Sequence, residues 1–164
     1  MAGRVLQLNV SRGGVPKRPI PEGFVTPLGI EGDAVAHPQF HGGPQKALLL
    51  LASEVVDQLA AEGFPVYYGA LGENVTTQGV DHRQFRSGQR YRIGDVIIEL
   101  TRPRIPCSAL NVYGPGIQEA IYDRAVKEGD TTSPHWGMSG FYAAVVQPGM
   151  IRVGDPIQLL EQVA

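Results

Sequence analysis

Cysteine is nearly absent from this chain: Cys107 is the only one in 164 residues. A single thiol excludes an intramolecular disulfide, a four-cysteine iron–sulfur cluster and a zinc finger built by this chain alone. There is no surplus of either charge. A net charge of −2 offers no basic face for nucleic acid and no electrostatic case for a membrane surface, so a small-molecule partner is expected. No apolar run approaches the length of a membrane span. Met1 to Asn9 also lacks the basic and apolar regions of a signal peptide, and the expected location is cytoplasmic. Few stretches carry a helical period. The chain has instead 21 glycines and 13 prolines, which at this length argue for many short elements joined by tight turns, the habit of β sandwiches and barrels.

The remaining composition is that of a globular protein, 43% hydrophobic and 18% charged, and its length predicts one domain over residues 1–164. Arg4 to Val10 alternates apolar and polar residues and reads as the first strand. Phe24 to Ile30 reads as another, and the continuous apolar run Ala47 to Ala52 as a buried one. Ser53 is placed to cap a helix from Glu54 to Glu62 that Gly63 ends, with Val55, Val56, Leu59 and Ala60 on one face. Gly116 to Lys127 spaces Ile117, Ala120, Ile121 and Ala125 as a second helix. Gly94-Asp95 and Gly154-Asp155 read as turns that each lead a strand back into the core, and Pro148-Gly149 as the turn into a last hairpin. The sum is about eight strands and two helices, a mostly antiparallel β-barrel.

The thiol sits in the stretch Thr101-Arg102-Pro103-Arg104-Ile105-Pro106-Cys107-Ser108, directly after the apolar run Val96 to Leu100. Two prolines fix their own φ and keep Arg102 and Ile105 out of helical geometry, so the loop is expected to be extended and stiff. A guanidinium close to the sulfur would favour thiolate, the form that attacks electrophiles or ligates soft metals. An isolated cysteine is more commonly a small buried hydrophobe.

Other polar segments offer ligand-binding chemistry. Gly13-Gly14-Val15-Pro16-Lys17 combines two residues free of Cβ constraint with an ammonium, a loop able to face an anion or to serve as a plain turn. His37 and His41 are four apart, but Pro38 and Gly42-Gly43-Pro44 argue against the helix that a zinc protease pair needs. His41 is instead expected to orient a ligand from a loop in which Gly42 and Gly43 let the backbone come close. Asn74, in Gly72-Glu73-Asn74, either donates to a heterocycle or completes a turn.

In order, the chain carries S-R-G-G-V-P-K at Ser11 to Lys17, Gly32-Asp33, H-G-G-P at His41 to Pro44, G-E-N at Gly72 to Asn74 and P-R-I-P-C at Pro103 to Cys107. Gly140-Phe141-Tyr142, Pro148-Gly149 and Gly154-Asp155 follow. Over nearly its whole length it closely resembles a short stand-alone MOSC domain, the module named for the C-terminal part of molybdenum cofactor sulfurase. The resemblance implies a barrel like the one in pyruvate kinase and binding of the molybdenum–molybdopterin cofactor. It implies Cys107 as catalytic residue and molybdenum ligand, Lys17 and Arg104 at the anionic tail of the pterin, and His41, Gly42 and Gly43 at its edge. Asn74 would meet the heterocycle, and Gly13, Gly14 and Asp33 complete the implied cofactor-binding set.

Two functions follow from the resemblance. In one the protein is an oxidoreductase that reduces N-hydroxylated compounds, drawing electrons from a separate flavin, haem or iron–sulfur protein because its one cysteine supports no cluster. In the other it is a cofactor carrier or sulfur-transfer module, with Cys107 bearing a persulfide and no redox turnover of its own. Gln45 follows H-G-G-P where relatives often carry an acidic residue, which removes an acid–base group from that position.

Overall fold

Two kinds of strand build this protein, and burial tells them apart. In β8 (Val96–Pro103), Val96, Ile98 and Leu100 are buried while the residues between them are half-buried, so one face meets the core. In β5 (Leu48–Ala52) all five residues are buried, so both faces are covered. The computed structural model describes residues 3–34 and 42–161, and of Glu161 the backbone alone.

The other strands are β1 (Gly3–Val10), β2 (Arg18–Ile20), β3 (Glu22–Thr26), β4 (Gly29–Ile30), β6 (Val75–Gln78), β7 (Arg90–Ile93), β9 (Phe141–Gln147), β10 (Gly149–Arg152) and β11 (Pro156–Glu161). Seven of the strands close a barrel in the order β11-β7-β8-β9-β5-β6-β1, the ring being shut by β1 against β11. A ring of antiparallel neighbours needs an even number of strands. With seven, one seam must be parallel, and it lies between β5 and β6. Helix α1 (Ser53–Ala61) belongs to the long crossover that a parallel pair requires. β2 extends the free part of the β1 edge, and β10-β3-β4 form a separate small sheet.

Inside the barrel, Leu8, Leu48, Leu50, Ile93, Ile98, Leu100 and Phe141 form one apolar cluster. The Phe141 ring meets Phe85 and Trp136 edge-on, at 5.8 and 6.0 Å between centroids. Outside it, Val55, Val56 and Leu59 of α1 pack with Leu51, Leu71, Leu110, Ile117 and Ile121. This second cluster covers the outer face of β5 and explains its unbroken apolar run.

The mainly β barrel agrees with the sequence reading, but the helices are more numerous than two. Among the described residues there are α1, α2 (Ile117–Ile121), α3 (Arg124–Lys127) and three short 3-10 turns, at Pro44–Lys46, His82–Gln84 and Ser108–Tyr113. The expected helix Gly116 to Lys127 breaks because Asp123 leaves helical geometry (φ −144°) and its carboxylate accepts from the Val126 N–H, starting α3 afresh. Ser53 is the first residue of α1 and Ala52 its cap, so the serine makes no cap bond, and Ala60 is exposed. The expected strand Phe24 to Ile30 turns at Pro27-Leu28 and becomes β3 and β4. Gly94-Asp95 does form a two-residue hairpin between β7 and β8. Pro148-Gly149 does not make the last hairpin: β10 leaves the barrel to pair with β3, and β11 returns to pair with β1 and β7. No helix among the described residues is long and apolar enough to cross a membrane.

Candidate functional site

Arg104 follows β8 and continues its alignment with β9, its N–H donating to the Gly140 carbonyl at 2.8 Å. Three residues on, Cys107 is half-buried and extended (φ −117°, ψ 172°) at the start of the 3-10 turn Ser108–Tyr113. The stiff strand exit read from the two prolines thus holds the thiol at the wall of a pocket of about 350 Å³. Leu49, Leu71 and Leu110 form apolar walls of that pocket, and Leu28 stands at its side 71% exposed.

Arg104 is buried, with 6% exposure. Its Nε donates to the Ser139 carbonyl at 2.8 Å and its Nη2 to the Leu71 carbonyl at 2.7 Å, while Nη1 has no hydrogen bond among the described residues. Ser139 Oγ donates in return to the Arg104 carbonyl at 2.6 Å. Among the described residues no carboxylate contacts the guanidinium. Burial works against its charge, and Tyr142, Glu73 and Cys107 act electrostatically in its favour. A guanidinium does not give up its proton in a protein, so this pocket wall carries a positive charge that, among the described residues, only neutral carbonyl oxygens contact.

Lys17 is in a different position. The residue is buried, and its ammonium donates to Asp33 Oδ1 at 2.6 Å. Asp33 Oδ1 also accepts the Ser11 N–H at 2.9 Å, and Oδ2 accepts from Asn74 Nδ2 at 2.8 Å. Asn74 donates further to the Asn9 carbonyl and accepts the Leu49 N–H at 3.0 Å. Its amide therefore ties β5 and β1 to the Lys17 loop, and both amide hydrogens are engaged in doing so. A double use as a donor to a heterocycle would require one of these bonds to open.

Of the sequence-selected residues, Cys107, Arg104, Lys17, Gly14, Asp33, Gly42, Gly43 and Asn74 line this one pocket. Gly13 is not among its lining residues, and His41 lies outside the described residues. Lys46, not singled out from the sequence, and Tyr142, named there only within the Gly140-Phe141-Tyr142 motif and given no site role, also line it. The Lys46 ammonium lies over the Tyr142 ring, 5.2 Å from its centroid. Burial, then Arg102, push the pKa of Lys46 down, and burial pushes that of the Tyr142 hydroxyl up. Strand alternation was the available signal for Tyr142: with Phe141 in the barrel core, its neighbour must face out.

Lys17, Lys46 and Arg104 outnumber Asp33 among the charged lining groups, so the pocket is electropositive. Among the described residues no three His, Cys, Asp or Glu side chains converge as a metal-holding group. The chemistry on offer is one soft thiol beside cations and backbone-accessible glycines, in an otherwise apolar cleft.

Residues 37–158 match the MOSC domain. The chain belongs to the MOSC domain family. This MOSC domain is 31% identical over 149 residues to protein YiiM of Escherichia coli (strain K12), across 86% of the chain and 60% of that protein. The chain therefore spans less than two thirds of its relative's length. It is also 32% identical over 144 residues to a protein of Gibberella moniliformis (strain M3125 / FGSC 7600) named "Reductase", the match covering 85% of the chain and 24% of that protein. The crystal structure of YiiM from Escherichia coli superposes with a TM-score of 0.72 at 26% identity, over 100% of this chain and 72% of that one.

Proposed function

We propose that this MOSC domain binds the molybdenum–pterin cofactor in the Cys107 pocket and serves as a cofactor carrier or sulfur-transfer module. The observation that carries this reading is Arg104: a buried guanidinium, with no carboxylate in contact among the described residues, lining the same pocket as the only thiol. Leaving a buried charge unpaired is costly, and an anionic ligand relieves that cost. A ligand that is both anionic and thiophilic satisfies the two groups together.

The residues fit such a group. Cys107 would hold the metal or carry the sulfur, Arg104 would face negative charge beside it, and Lys46 with Gly42 and Gly43 would receive the anionic tail. Leu49, Leu71 and Leu110 would cover flat apolar surface and keep water away. Lys17, already neutralised by Asp33, shapes the loop and adds little free charge. When bound, the cofactor supplies two-electron chemistry with oxygen or sulfur.

A reductase reading has one observation in its favour, the Gibberella relative whose printed name is "Reductase" and of which this kind of domain is a quarter. On that reading an N-hydroxylated compound gains two electrons and two protons and loses water. The electrons come from a separate flavin, haem or iron–sulfur protein.

Molybdenum and pterin content, measured on wild type and Cys107→Ala from a host that makes the cofactor, tests the common part. Content stoichiometric with the wild-type protein and lost in the variant is expected. A folded wild type that stays free of both after loading overturns it. Turnover of hydroxylamine with an artificial electron donor then decides for the reductase, and a persulfide mass increment on Cys107 without turnover for the carrier.

A further inference from the structure

Two lysines line the Cys107 pocket, and their charges are held in different ways. Lys17 is paired with a carboxylate, Asp33, which cancels most of its field. The Lys46 ammonium lies instead over a neutral ring, 5.2 Å from the Tyr142 centroid. A ring quadrupole attracts a cation without carrying a formal charge, so it fixes the ammonium and leaves its field in the pocket.

The backbone places both groups. Tyr142 is the second residue of β9, opposite Leu49 of β5 in the barrel wall, and is 9% exposed. Phe141 occupies the core side, so pleating sends the Tyr142 ring outward to the pocket. Lys46 ends the 3-10 turn Pro44–Lys46, where its N–H donates to the Gly43 carbonyl at 3.0 Å. Gly43 enters that turn at φ 86°, a conformation that favours glycine. Thr101 Oγ1, from β8, donates to the Gln45 carbonyl at 2.7 Å and ties the turn to the strand beside β9. The fold thus fixes the base of the lysine, and the ring restrains the far end of its flexible stem.

We infer that Tyr142 is a positioning residue for the anionic end of the ligand: its ring holds the Lys46 ammonium at the pocket wall, ready to receive an oxyanion of the phosphate or sulfate type. The inference rests on the pocket being an anion site. A lysine stem has large rotamer freedom, and an anion that binds a roaming ammonium must also order it. With the stem already held against Tyr142, less order is lost when the anion arrives, and affinity rises. The ammonium has three N–H donors, and a ring on one side leaves the others for the anion. Gly42 and Gly43 line the same pocket and let an oxyanion come close to the backbone.

The probe is sulfate, titrated by calorimetry into the full chain near pH 6, well below the ordinary lysine pKa. Tyr142→Leu should weaken binding about tenfold, whereas Tyr142→Phe, which keeps the ring, should stay within about twofold of wild type. In a Lys46→Met background Tyr142→Leu should have no further effect, because the ring then has no cation to hold. An unchanged affinity in Tyr142→Leu, or an equal loss in Tyr142→Phe, overturns the inference. So does an equal loss from Tyr142→Leu with and without Lys46, which would make the ring a matter of pocket shape. These results leave the anion site standing. No sulfate binding to wild type overturns the anion pocket and the inference with it. Should Tyr142→Leu fail to fold, proton NMR of the three lysines decides. The Lys46 ε-methylene signal, identified by its absence from Lys46→Met, is expected upfield of the other two and should move when sulfate binds. A signal at the ordinary lysine position, or one indifferent to bound sulfate, overturns the inference.

Discussion

At the scale of single residues, the Lys17–Asp33 pair links sequence to pocket. Its two side chains are 8% and 11% exposed and 2.6 Å apart, so each charge depends on the other. Asp33→Asn leaves a buried ammonium without its counter-charge and weakens the bonds to Ser11 and Asn74. The expected loss is about 3–5 kcal/mol, read from urea unfolding. The double variant Lys17→Met, Asp33→Asn should recover much of it, since it removes both charges. The resemblance to the MOSC family implied Cys107, Arg104, Lys17 and Gly42 as neighbours at one site, and they line one pocket. What residue types could not reveal is how each polar atom is spent. Asn74, which in sequence either donates to a heterocycle or completes a turn, is a tie between strands in space, and Lys46, not singled out in sequence, lies over a tyrosine ring at the pocket.

Among the elements, the break between α2 and α3 shows why periodicity misleads over short spans. The apolar spacing from Ile117 to Ala125 fits one helix, but Asp123 offers its own backbone a competing hydrogen bond and also joins Ser133 (2.7 Å) and His135 (2.8 Å) of the following loop. These bonds, His135 first, lower the Asp123 pKa from 3.8 to about 2. A carboxylate with a depressed folded pKa contributes stability above its ordinary value and loses it as pH falls through the folded one. The Tm difference between wild type and Asp123→Asn should therefore be steady above about pH 4 and shrink toward pH 2. A difference unchanged across that range would refute the linkage. β1, β5, α1 and the β7–β8 hairpin were legible because period, apolar run and Gly-Asp turn agree there. The routes of β3, β4 and β10 were not, because a proline turn specifies a change of direction and leaves the next partner open.

For the whole molecule, a barrel of seven strands with an apolar interior and a second cluster outside has two places where volume matters. Phe141 is fully buried at the junction of Phe85 and Trp136, and it precedes Tyr142 of the pocket. Phe141→Ala should cost about 3–5 kcal/mol in chemical denaturation through lost burial and a residual cavity. Leu51→Ala on the outer cluster belongs to the same class of change but spares the ring stack. The barrel itself was legible from strand count and family resemblance. Its odd number of strands was not, since ring closure depends on which distant edges meet.

That closure joins β1, near the start of the chain, to β11, near its end. On the ribosome, β1 emerges before β11 and before every strand between them. Until β11 arrives, β7 and the first residues of β1 have bare edges, the kind of surface on which nascent strands join the wrong partner. The small sheet of β3, β4 and β10 also waits, because β10 is made shortly before β11. Between the emergence of β1 and that of β11 the barrel is an unsealed sheet, and its dependence on chaperones should be concentrated in that interval.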